Sequence, residues 1–237
     1  MRIFELPPRL RSVADLVSPG ARLADVGTDH AFLPVWLILR GVIDHAVASD
    51  LREGPLSRAR QTAEHYNVAS RMEFRLCDGL AGIGPTEVDT IAIAGMGGET
   101  IAAILAAAPW TAEGRHRLIL QPMTAQPELR AWLYRHGFYI ETEILTCEDK
   151  TLYSTFEAKV GAALPPTPAE LWAGRQERDM DAPLRGQYLE KLLHRAERAV
   201  EGIRRSTKER DRLRREELEQ VAVGLRKMKE EWDAWQQ

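Results

Sequence analysis

Three acidic residues, each placed directly after a short apolar stretch, carry most of the chemistry that the sequence offers: Asp25, Asp50 and Asp78. Small or apolar residues follow them, namely Gly27, Leu51, Gly79 and Leu80. A carboxylate accepts hydrogen bonds from cationic, amino and hydroxyl groups, and a glycine lets the backbone approach a ligand closely. The pattern therefore predicts a ligand site built from the ends of strands, with these residues as its wall.

Each carboxylate has an expected role and a structural alternative. Asp25 is expected to accept a hydrogen bond from a cationic or amino group, and Asp50 from two ribose hydroxyls. Asp78 is expected to accept from an adenine amino group while Leu80 packs against the ring. The alternatives are a strand-end turn residue for Asp50 and an ordinary Asp-Gly turn for Asp78 and Gly79.

The first of these loops discriminates between cofactors. A dinucleotide-binding fold needs G-x-G-x-x-G to seat a pyrophosphate, whereas Gly27 stands nearly alone in Gly27-Thr28-Asp29-His30-Ala31. S-adenosylmethionine has no phosphate and carries a sulfonium and an ammonium, which an acidic loop suits. We therefore expect S-adenosylmethionine as cofactor. No metal is expected, because Cys77 and Cys147 have no zinc-ligand spacing.

The elements that must position these residues alternate between strands and helices. Hydrophobic pattern and capping signals predict strands at 22–26, 45–50, 71–76, 90–94 and 117–120, and helices at 9–17, 32–40, 55–66, 99–107 and 127–136. Two further strands, about 139–146 and 152–159, are joined only by the turn 147–150 and should form a hairpin. We predict an α/β fold of the class I, Rossmann-like methyltransferase type: a mostly parallel doubly wound sheet with an antiparallel edge hairpin.

A glycine-rich loop follows the fourth strand, where class I methyltransferases place their substrate-facing loop. Gly95 is assigned to the cofactor and Met96, Gly97 and Gly98 to the substrate, since glycines permit a planar base to approach a methyl group. An Asn/Asp-Pro-Pro-aromatic loop is absent here, which disfavours transfer to an exocyclic amine. The alternative is a flexible strand-to-helix turn. Likewise, the pair Gln121-Pro122 either lines the substrate side or only terminates a strand.

A proline-rich segment, 162–168, divides the chain into a methyltransferase domain, 1–162, and a C-terminal domain, 168–237. In the latter, apolar residues recur at three- and four-residue steps before and after a polar gap. The gap contains Ser206-Thr207-Lys208-Glu209, which has the spacing of a capping box. We therefore predict two helices that form a coiled-coil-like antiparallel hairpin.

Charge is distributed unevenly along the chain. The formal net charge is -3, and residues 166–237 hold 16 Lys and Arg against 15 Asp and Glu, so that the body of the chain carries the acidic excess. Seven basic residues lie between Arg204 and Arg215, against two acidic ones. The tip of the predicted hairpin is therefore basic.

Several segments together resemble the bacterial TrmK family, whose members are tRNA (adenine-N1) methyltransferases that modify adenine 22 in the D-arm region. They are Leu6-Pro7-Pro8-Arg9-Leu10, Asp25-Val26-Gly27-Thr28-Asp29-His30-Ala31-Phe32-Leu33-Pro34, Asp78-Gly79-Leu80, Ala94-Gly95-Met96-Gly97-Gly98 and Leu120-Gln121-Pro122. The resemblance covers most of residues 5–160, and the family also has a C-terminal helical domain. It implies an S-adenosylmethionine-dependent enzyme that methylates N1 of adenine 22 in tRNA.

An adenine N1 acceptor gives Asp29 and His30 expected roles. N1 carries an in-plane lone pair and needs no deprotonation, so catalysis can rest on positioning and electrostatics. Asp29 is expected to accept from the N6 amino group and to stabilise the positive charge on the ring. His30 is a second catalytic candidate, with a structural histidine as its alternative. For Asp29 the alternatives are capping of the helix near Phe32 and cofactor binding.

A tRNA partner follows from the same acceptor. N1 lies on the Watson–Crick edge, so the adenine must leave its pairing to reach the pocket. Phosphate contacts are expected from Arg204, Arg205 and Arg212 at the basic tip and from Arg9 near the N-terminus. A solvated charged helix face is the alternative for the tip.

Location, assembly and competing functions complete the expectations. The N-terminus lacks the apolar core of a signal peptide, no run approaches membrane-spanning length, and the cysteines fit a reducing compartment, so a cytoplasmic protein without membrane contact is expected. A monomer is favoured. Two alternatives remain open: a methyltransferase-like binding module with a protein partner, which the mixed-charge tail supports, and a methyltransferase acting on another RNA.

Overall fold

The computed structural model describes residues 4–204, 206 and 208–236, which group into two compact units. The first comprises Met1–Ala125 and Trp132–Ala163, and the second comprises Gln126–Ala131 and Leu164–Gln237. The first half of the helix that follows the fifth strand thus groups with the C-terminal unit. The sequence had assigned all of that helix to a domain at 1–162, because its hydrophobic pattern does not show which neighbours cover it.

The first unit contains a seven-stranded sheet with helices. Its strands are β1 (Leu23–Val26), β2 (Ala46–Asp50), β3 (Met72–Leu76), β4 (Thr90–Gly97), β5 (Arg117–Thr124), β6 (Phe138–Glu148) and β7 (Thr151–Val160). Its helices are α1 (Pro8–Asp15), α2 (Phe32–Leu39), α3 (Glu53–His65), α4 (Gly98–Ala106) and the end of α5 (Gln126–Arg135). All the strands and helices predicted for this part of the chain are present.

The strand order is β3-β2-β1-β4-β5-β7-β6. The strands β1 to β5 pair in parallel, whereas β7 is antiparallel to both β5 and β6. The predicted doubly wound sheet with an antiparallel edge hairpin is therefore confirmed. The chain order reverses between β1 and β4, and such a reversal opens a crevice at the carboxyl ends of the strands.

The centre of this sheet is buried on both faces. Every residue of β1 and β2 is buried, as expected where helices cover both faces of parallel strands. The helix α2 contributes the run Leu33–Ile38, which is buried throughout. The hydrophobic core thus fixes the strands whose carboxyl ends carry the acidic residues.

Two strand ends differ from the sequence prediction. The strand β4 continues to Gly97 and β5 to Thr124, with register shifts after Ala94 and after Met96. The predicted glycine-rich turn is thus mostly an irregular strand end, because a bulge allows pairing to continue past Gly95. The hairpin turn is also shorter than predicted: only Asp149 and Lys150 have positive φ, 48° and 64°, as in the two-residue turns that match the twist of a hairpin.

The second unit is helical. It contains α6 (Pro168–Ala173), α7 (Arg185–Ile203) and α8 (Glu209–Trp235). Glu197 of α7 pairs with Arg226 of α8 at 2.7 Å, and the carbonyl of Arg204 accepts from Arg215 at 3.4 Å. Residues later in α7 thus meet residues earlier in α8, so the two helices run antiparallel. The predicted helical hairpin is confirmed.

Capping in this unit differs from the prediction. The capping box lies at α6, where Thr167 Oγ1 accepts from the Glu170 N–H and Glu170 Oε2 accepts from the Thr167 N–H. The box predicted at 206–209 is wrong: α8 has Lys208 as N-cap without a side-chain cap, and Ser206 Oγ instead donates to Asp211. Thr207 of that segment lies outside the described residues. Within the described part of the chain, no helix combines the length and the apolar character needed to cross a membrane.

Candidate functional site

A cavity of about 730 Å³ lies in the first unit, at the carboxyl ends of β1, β2, β3 and β4. Its wall includes Asp25, Gly27, Asp50, Leu51, Asp78, Gly79 and Gly95, which the sequence assigned to a cofactor. It also includes Arg9, Asp29, His30 and Met96, which the sequence assigned to catalysis or substrate. The volume falls in the usual range for a small-molecule site. The fold thus brings residues from five separate sequence segments into one place.

Other predicted residues lie off this wall. Leu80 is buried and does not line the cavity; the side chain that lies over Gly79 is Ile104 of α4. Gly97 and Pro122 are not on the wall either. Gly98 is buried where a Cβ would lie 2.3 Å from the carbonyl oxygen of Ala125, so this glycine allows close backbone packing.

Asp25 is the most perturbed carboxylate of the site. Burial raises its pKa to about 6, while a hydrogen bond from Thr28 opposes the rise and the nearby charge of Asp50 adds to it. Thr28 Oγ1 donates to Asp25 Oδ2 at 2.5 Å. Burial disfavours the charged form of an acid, so a cationic group of a ligand beside Asp25 would relieve this cost.

The turn after β1 is held by backbone hydrogen bonds. The N–H groups of Gly27 and Thr28 both donate to the carbonyl of Ser49, at 2.8 and 3.0 Å. Gly27 has φ +73°, and a Cβ there would lie 2.0 Å from Met96 Cε. A left-handed conformation is costly for residues other than glycine, and a Cβ at this position would clash with the Met96 side chain. Glycine avoids both costs.

Asp50, at the end of β2, lies on the neighbouring part of the wall. It is buried, and its Oδ1 accepts from the Arg52 N–H at 2.9 Å. This bond orients the carboxylate beside Leu51, which is exposed and lines the cavity. A carboxylate fixed by a backbone donor is suited to accept from hydroxyl groups.

Asp29 and His30 form a polar part of the wall. Arg58 Nη2 of α3 donates to Asp29 Oδ1 at 2.5 Å, and His30 Nε2 lies 3.9 Å from Asp29 Oδ2. The His30 ring stacks on Phe32, with centroids 5.1 Å apart and planes at 5°. The capping alternative for Asp29 is wrong, because the N-cap of α2 is Ala31 and no side chain caps it.

Arg9 and Gln121 are joined beside the cavity. Gln121 is fully buried, and its Oε1 accepts from Arg9 Nη1 at 2.9 Å and from the Gly95 N–H at 3.1 Å. Gln121 therefore supports the wall from behind and does not line it.

The basic residues assigned to the hairpin tip are largely offset by acids. Arg204 pairs with Glu201 at 3.4 Å, and Arg212 pairs with Glu209 at 2.6 Å. Arg205 lies outside the described residues. A basic face that the sequence reading did not single out lies on α7 instead: Lys191, Arg195 and Arg198 are exposed there.

Metal ligation has no support in the residues that the structure describes. Among them, no group of three or more His, Cys, Asp or Glu side chains is arranged to hold an ion. Cys77 and Cys147 are free thiols.

Sequence reasoning missed several wall residues: Thr28, Phe32, Ser49, Arg58 and Ile104. Thr28 and Phe32 could have been found, since both lie within the loop already singled out. Arg58 and Ile104 carry no local signal, because each lies inside an ordinary amphipathic helix and reaches the cavity only through the fold.

Comparison with known proteins identifies the family. Residues 6–156 match the model of a methyltransferase domain family. The chain is 37% identical over 161 residues to the tRNA (adenine(22)-N(1))-methyltransferase of Bacillus subtilis, covering 68% of each chain.

Solved structures agree with this match. The Bacillus subtilis m1A22 tRNA methyltransferase TrmK superposes with a TM-score of 0.84 at 29% identity, covering 95% of this chain and 99% of that one. Streptococcus pneumoniae Sp1610, assigned as a tRNA (m1A22) methyltransferase and solved with S-adenosyl-L-methionine, gives 0.81 at 32% identity, covering 95% and 100%. On its sequence and its fold, this chain belongs to the TrmK family of tRNA (adenine(22)-N(1))-methyltransferases.

Proposed function

We propose that this protein transfers a methyl group from S-adenosylmethionine to N1 of adenine 22 in tRNA. The observation that carries the proposal is the acidic cavity at the strand ends, with a buried Asp25, in a chain 37% identical to the Bacillus subtilis enzyme. The domain at 1–162 would perform the transfer and the domain at 168–237 would bind RNA. We take the protein to act as a monomer, in the cytoplasm.

The cavity fits S-adenosylmethionine in its charges and its backbone. Asp25 would accept from the ammonium, Asp50 from the ribose hydroxyls and Asp78 from the adenine amino group. Gly27 has no Cβ, and the Met96 side chain occupies the position that a Cβ would take there. When bound, the cofactor supplies a methyl group on a positively charged sulfonium.

The acceptor adenine must be oriented, but no general base is needed to remove a proton before N1 attacks. The N1 lone pair forms the new bond to the methyl carbon while the carbon–sulfur bond breaks and its electron pair stays on sulfur. Asp29 would keep Oδ1 on Arg58 and offer Oδ2 to the N6 amino group, which aligns N1 and stabilises the positive charge on the ring. The stacked rings of His30 and Phe32 offer a flat surface for the base.

The exposed face of α7 is the surface we assign to the tRNA backbone. Lys191, Arg195 and Arg198 follow at steps of four and three residues and so lie on one helix face. None of them makes an ion pair with a carboxylate in the described part of the chain. The Arg195 guanidinium lies 5.4 Å from the Trp172 ring centroid, which holds the side chain in place. A Lys or Arg that neutralises a phosphate releases a condensed counterion, and these three side chains have no carboxylate partner among the described residues to give up when they do so.

Incubation of the purified full-length protein with tritiated S-adenosylmethionine and total tRNA tests this function. Nucleoside analysis should find the label in 1-methyladenosine. Label in another nucleoside would support a methyltransferase with another target. Binding of tRNA without any incorporation would support the binding-module alternative.

A further inference from the structure

A buried glutamine holds an arginine in the wall of the cavity. Gln121 Oε1 accepts from both Arg9 Nη1, at 2.9 Å, and the Gly95 N–H, at 3.1 Å. Gln121 Nε2 donates to the carbonyl of Pro122 at 3.2 Å. These three bonds fix the orientation of the amide. In the opposite orientation, its NH₂ group would face two donors, Arg9 Nη1 and the Gly95 N–H.

The bulge in β4 explains why a side-chain acceptor is needed here. Ala94 pairs with Gln121 and Met96 pairs with Pro122, so Gly95 is left out of the ladder, with φ +80°. Its N–H therefore has no acceptor on the neighbouring strand, and Gln121 Oε1 supplies one. Gln121 therefore fixes the bulge and the arginine with one oxygen.

Arg9 is also held through its backbone. Its N–H donates to Glu148 Oε2 at 3.0 Å, and its carbonyl accepts from Ser12 Oγ at 2.8 Å. The guanidinium itself makes no ion pair with a described carboxylate, whereas Arg58, on the same wall, pairs with Asp29. The neutral amide of Gln121 holds Arg9 without cancelling its charge, so Arg9 is a positioned cation with donors to spare.

We propose that Arg9, positioned by Gln121, binds the carboxylate at the amino-acid end of S-adenosylmethionine, while Asp25 takes the ammonium of the same group. This inference rests on the proposed function. It moves Arg9 from the RNA phosphates, where the sequence reading had placed it, to the cofactor.

Charge and position support this assignment. A ligand with an ammonium and a carboxylate needs an acidic and a basic side chain next to each other. Asp25 lies on β1, and Arg9 lies against Gly95 at the end of the adjacent strand β4. The side chain of Met96, the residue after Gly95, reaches Gly27, the residue that directly follows β1. A cation beside the acceptor base would instead oppose the positive charge that develops on the ring.

Two ligands that differ only in the carboxylate test the proposal: S-adenosylmethionine and decarboxylated S-adenosylmethionine, titrated calorimetrically into the full-length protein. Arg9→Gln should weaken S-adenosylmethionine by about tenfold to a hundredfold, as expected for a hydrogen bond between charged groups. It should leave the affinity for the decarboxylated ligand nearly unchanged. Arg11→Gln is the control on the same helix, since Arg11 pairs with Asp15 and does not line the cavity.

A second variant tests the role of Gln121. Gln121→Met also removes the acceptor of the Gly95 N–H, so it should weaken both ligands, but S-adenosylmethionine more than the decarboxylated ligand. The ratio of the two affinities in Arg9→Gln with Gln121→Met should equal the ratio in Arg9→Gln alone, since the glutamine acts on the carboxylate only through the arginine. The proposal would be overturned if Arg9→Gln lost affinity equally for both ligands, or if the effects of the two substitutions on that ratio added in the double variant. It would also be overturned if Arg9→Gln bound the cofactor like the wild type and only its KM for tRNA were raised. A wild-type protein that binds neither ligand would overturn the proposed function itself.

Discussion

Arg58 and Asp29 form an ion pair on the wall of the cavity, with Arg58 Nη2 2.5 Å from Asp29 Oδ1. Asp29 has φ +47°, in the left-handed region, and the pair holds its carboxylate toward α3 and away from the N-terminus of α2. Both side chains are about half exposed, where an ion pair contributes little to stability. The main effect of the ion pair is therefore to orient the Asp29 side chain, and its contribution to folding stability is small.

Replacing Asp29 tests its assignment to the acceptor base. Asp29→Asn should lower kcat by about a hundredfold to a thousandfold, the usual effect of losing an electrostatic stabiliser of the transition state. Its affinity for S-adenosylmethionine in calorimetry should stay close to wild type. Arg58→Gln is the matched variant, because it removes the pair and keeps the carboxylate, and it should lower kcat far less. Loss of cofactor binding in Asp29→Asn would assign Asp29 to the cofactor instead.

The raised pKa of Asp25 predicts that cofactor binding depends on pH. Below the pKa of about 6 the carboxyl is protonated and loses its attraction for an ammonium. The affinity for S-adenosylmethionine should thus fall, by up to about tenfold per pH unit, as the pH drops below 6. Calorimetry between pH 5 and 8 measures this, and a flat profile would remove Asp25 from the ammonium site.

The same pKa has a consequence for stability with a definite sign. The folded protein keeps a proton on Asp25 up to about pH 6, whereas the unfolded chain releases it near the ordinary value of 3.8. The stabilising contribution of this group is thus present at low pH and is lost as the pH rises through 6. Asp25→Asn should raise Tm at pH 8, and this gain should shrink toward pH 4. A constant difference in Tm across that range would contradict the assigned pKa.

Gly27 and Gly41 form a matched pair for the role of the first turn. Both have positive φ, +73° and +69°, but a Cβ would meet Met96 at Gly27 and nothing within 4 Å at Gly41. Each alanine variant should lose about 1–2 kcal/mol of unfolding free energy to backbone strain. Only Gly27→Ala should also weaken S-adenosylmethionine, by about tenfold or more, because Met96 must shift at the cavity. Equal cofactor affinity in both variants would show that the close approach has no role in binding.

The basic face of α7 predicts a salt-dependent contribution to tRNA binding. Replacing Lys191, Arg195 and Arg198 together by alanine should reduce the slope of log Kd against log salt by about 2–3, since each phosphate contact contributes about 0.7–0.9. Arg212→Ala is the control, because Glu209 offsets that charge, and its slope should stay near wild type. A reduced slope in Arg212→Ala with an unchanged slope in the triple variant would place the tRNA contact at the hairpin tip.

The fold and most of the cavity wall could be predicted because their signals are local. Strand ends with Asp25, Asp50 and Asp78 need only a hydrophobic stretch followed by a polar residue, and parallel strands then bring such residues together. The hairpin of β6 and β7 was visible for the same reason, as two strands with only a turn between them.

What could not be predicted depends on contacts between distant segments. The continuation of β4 through Gly95 requires Gln121 as an acceptor 26 residues away. The orientation of Asp29 requires Arg58, and Leu80 was misplaced because Ile104 of α4 covers Gly79 in its stead. Residues 206–209 have the spacing of a capping box, but the Ser206 hydroxyl donates to Asp211 instead. Spacing along the chain does not decide between such partners.

The proposed reaction is methyl transfer to N1 of adenine 22, the position named for the Bacillus subtilis relative. The most direct measurement compares two tRNA transcripts, one with adenine at position 22 and one with guanine there, each incubated with the purified protein and S-adenosylmethionine and then analysed by mass spectrometry of nucleosides. We expect 1-methyladenosine in the first transcript and none in the second. Equal methylation of both, or none of either by a protein that binds the cofactor, would contradict it.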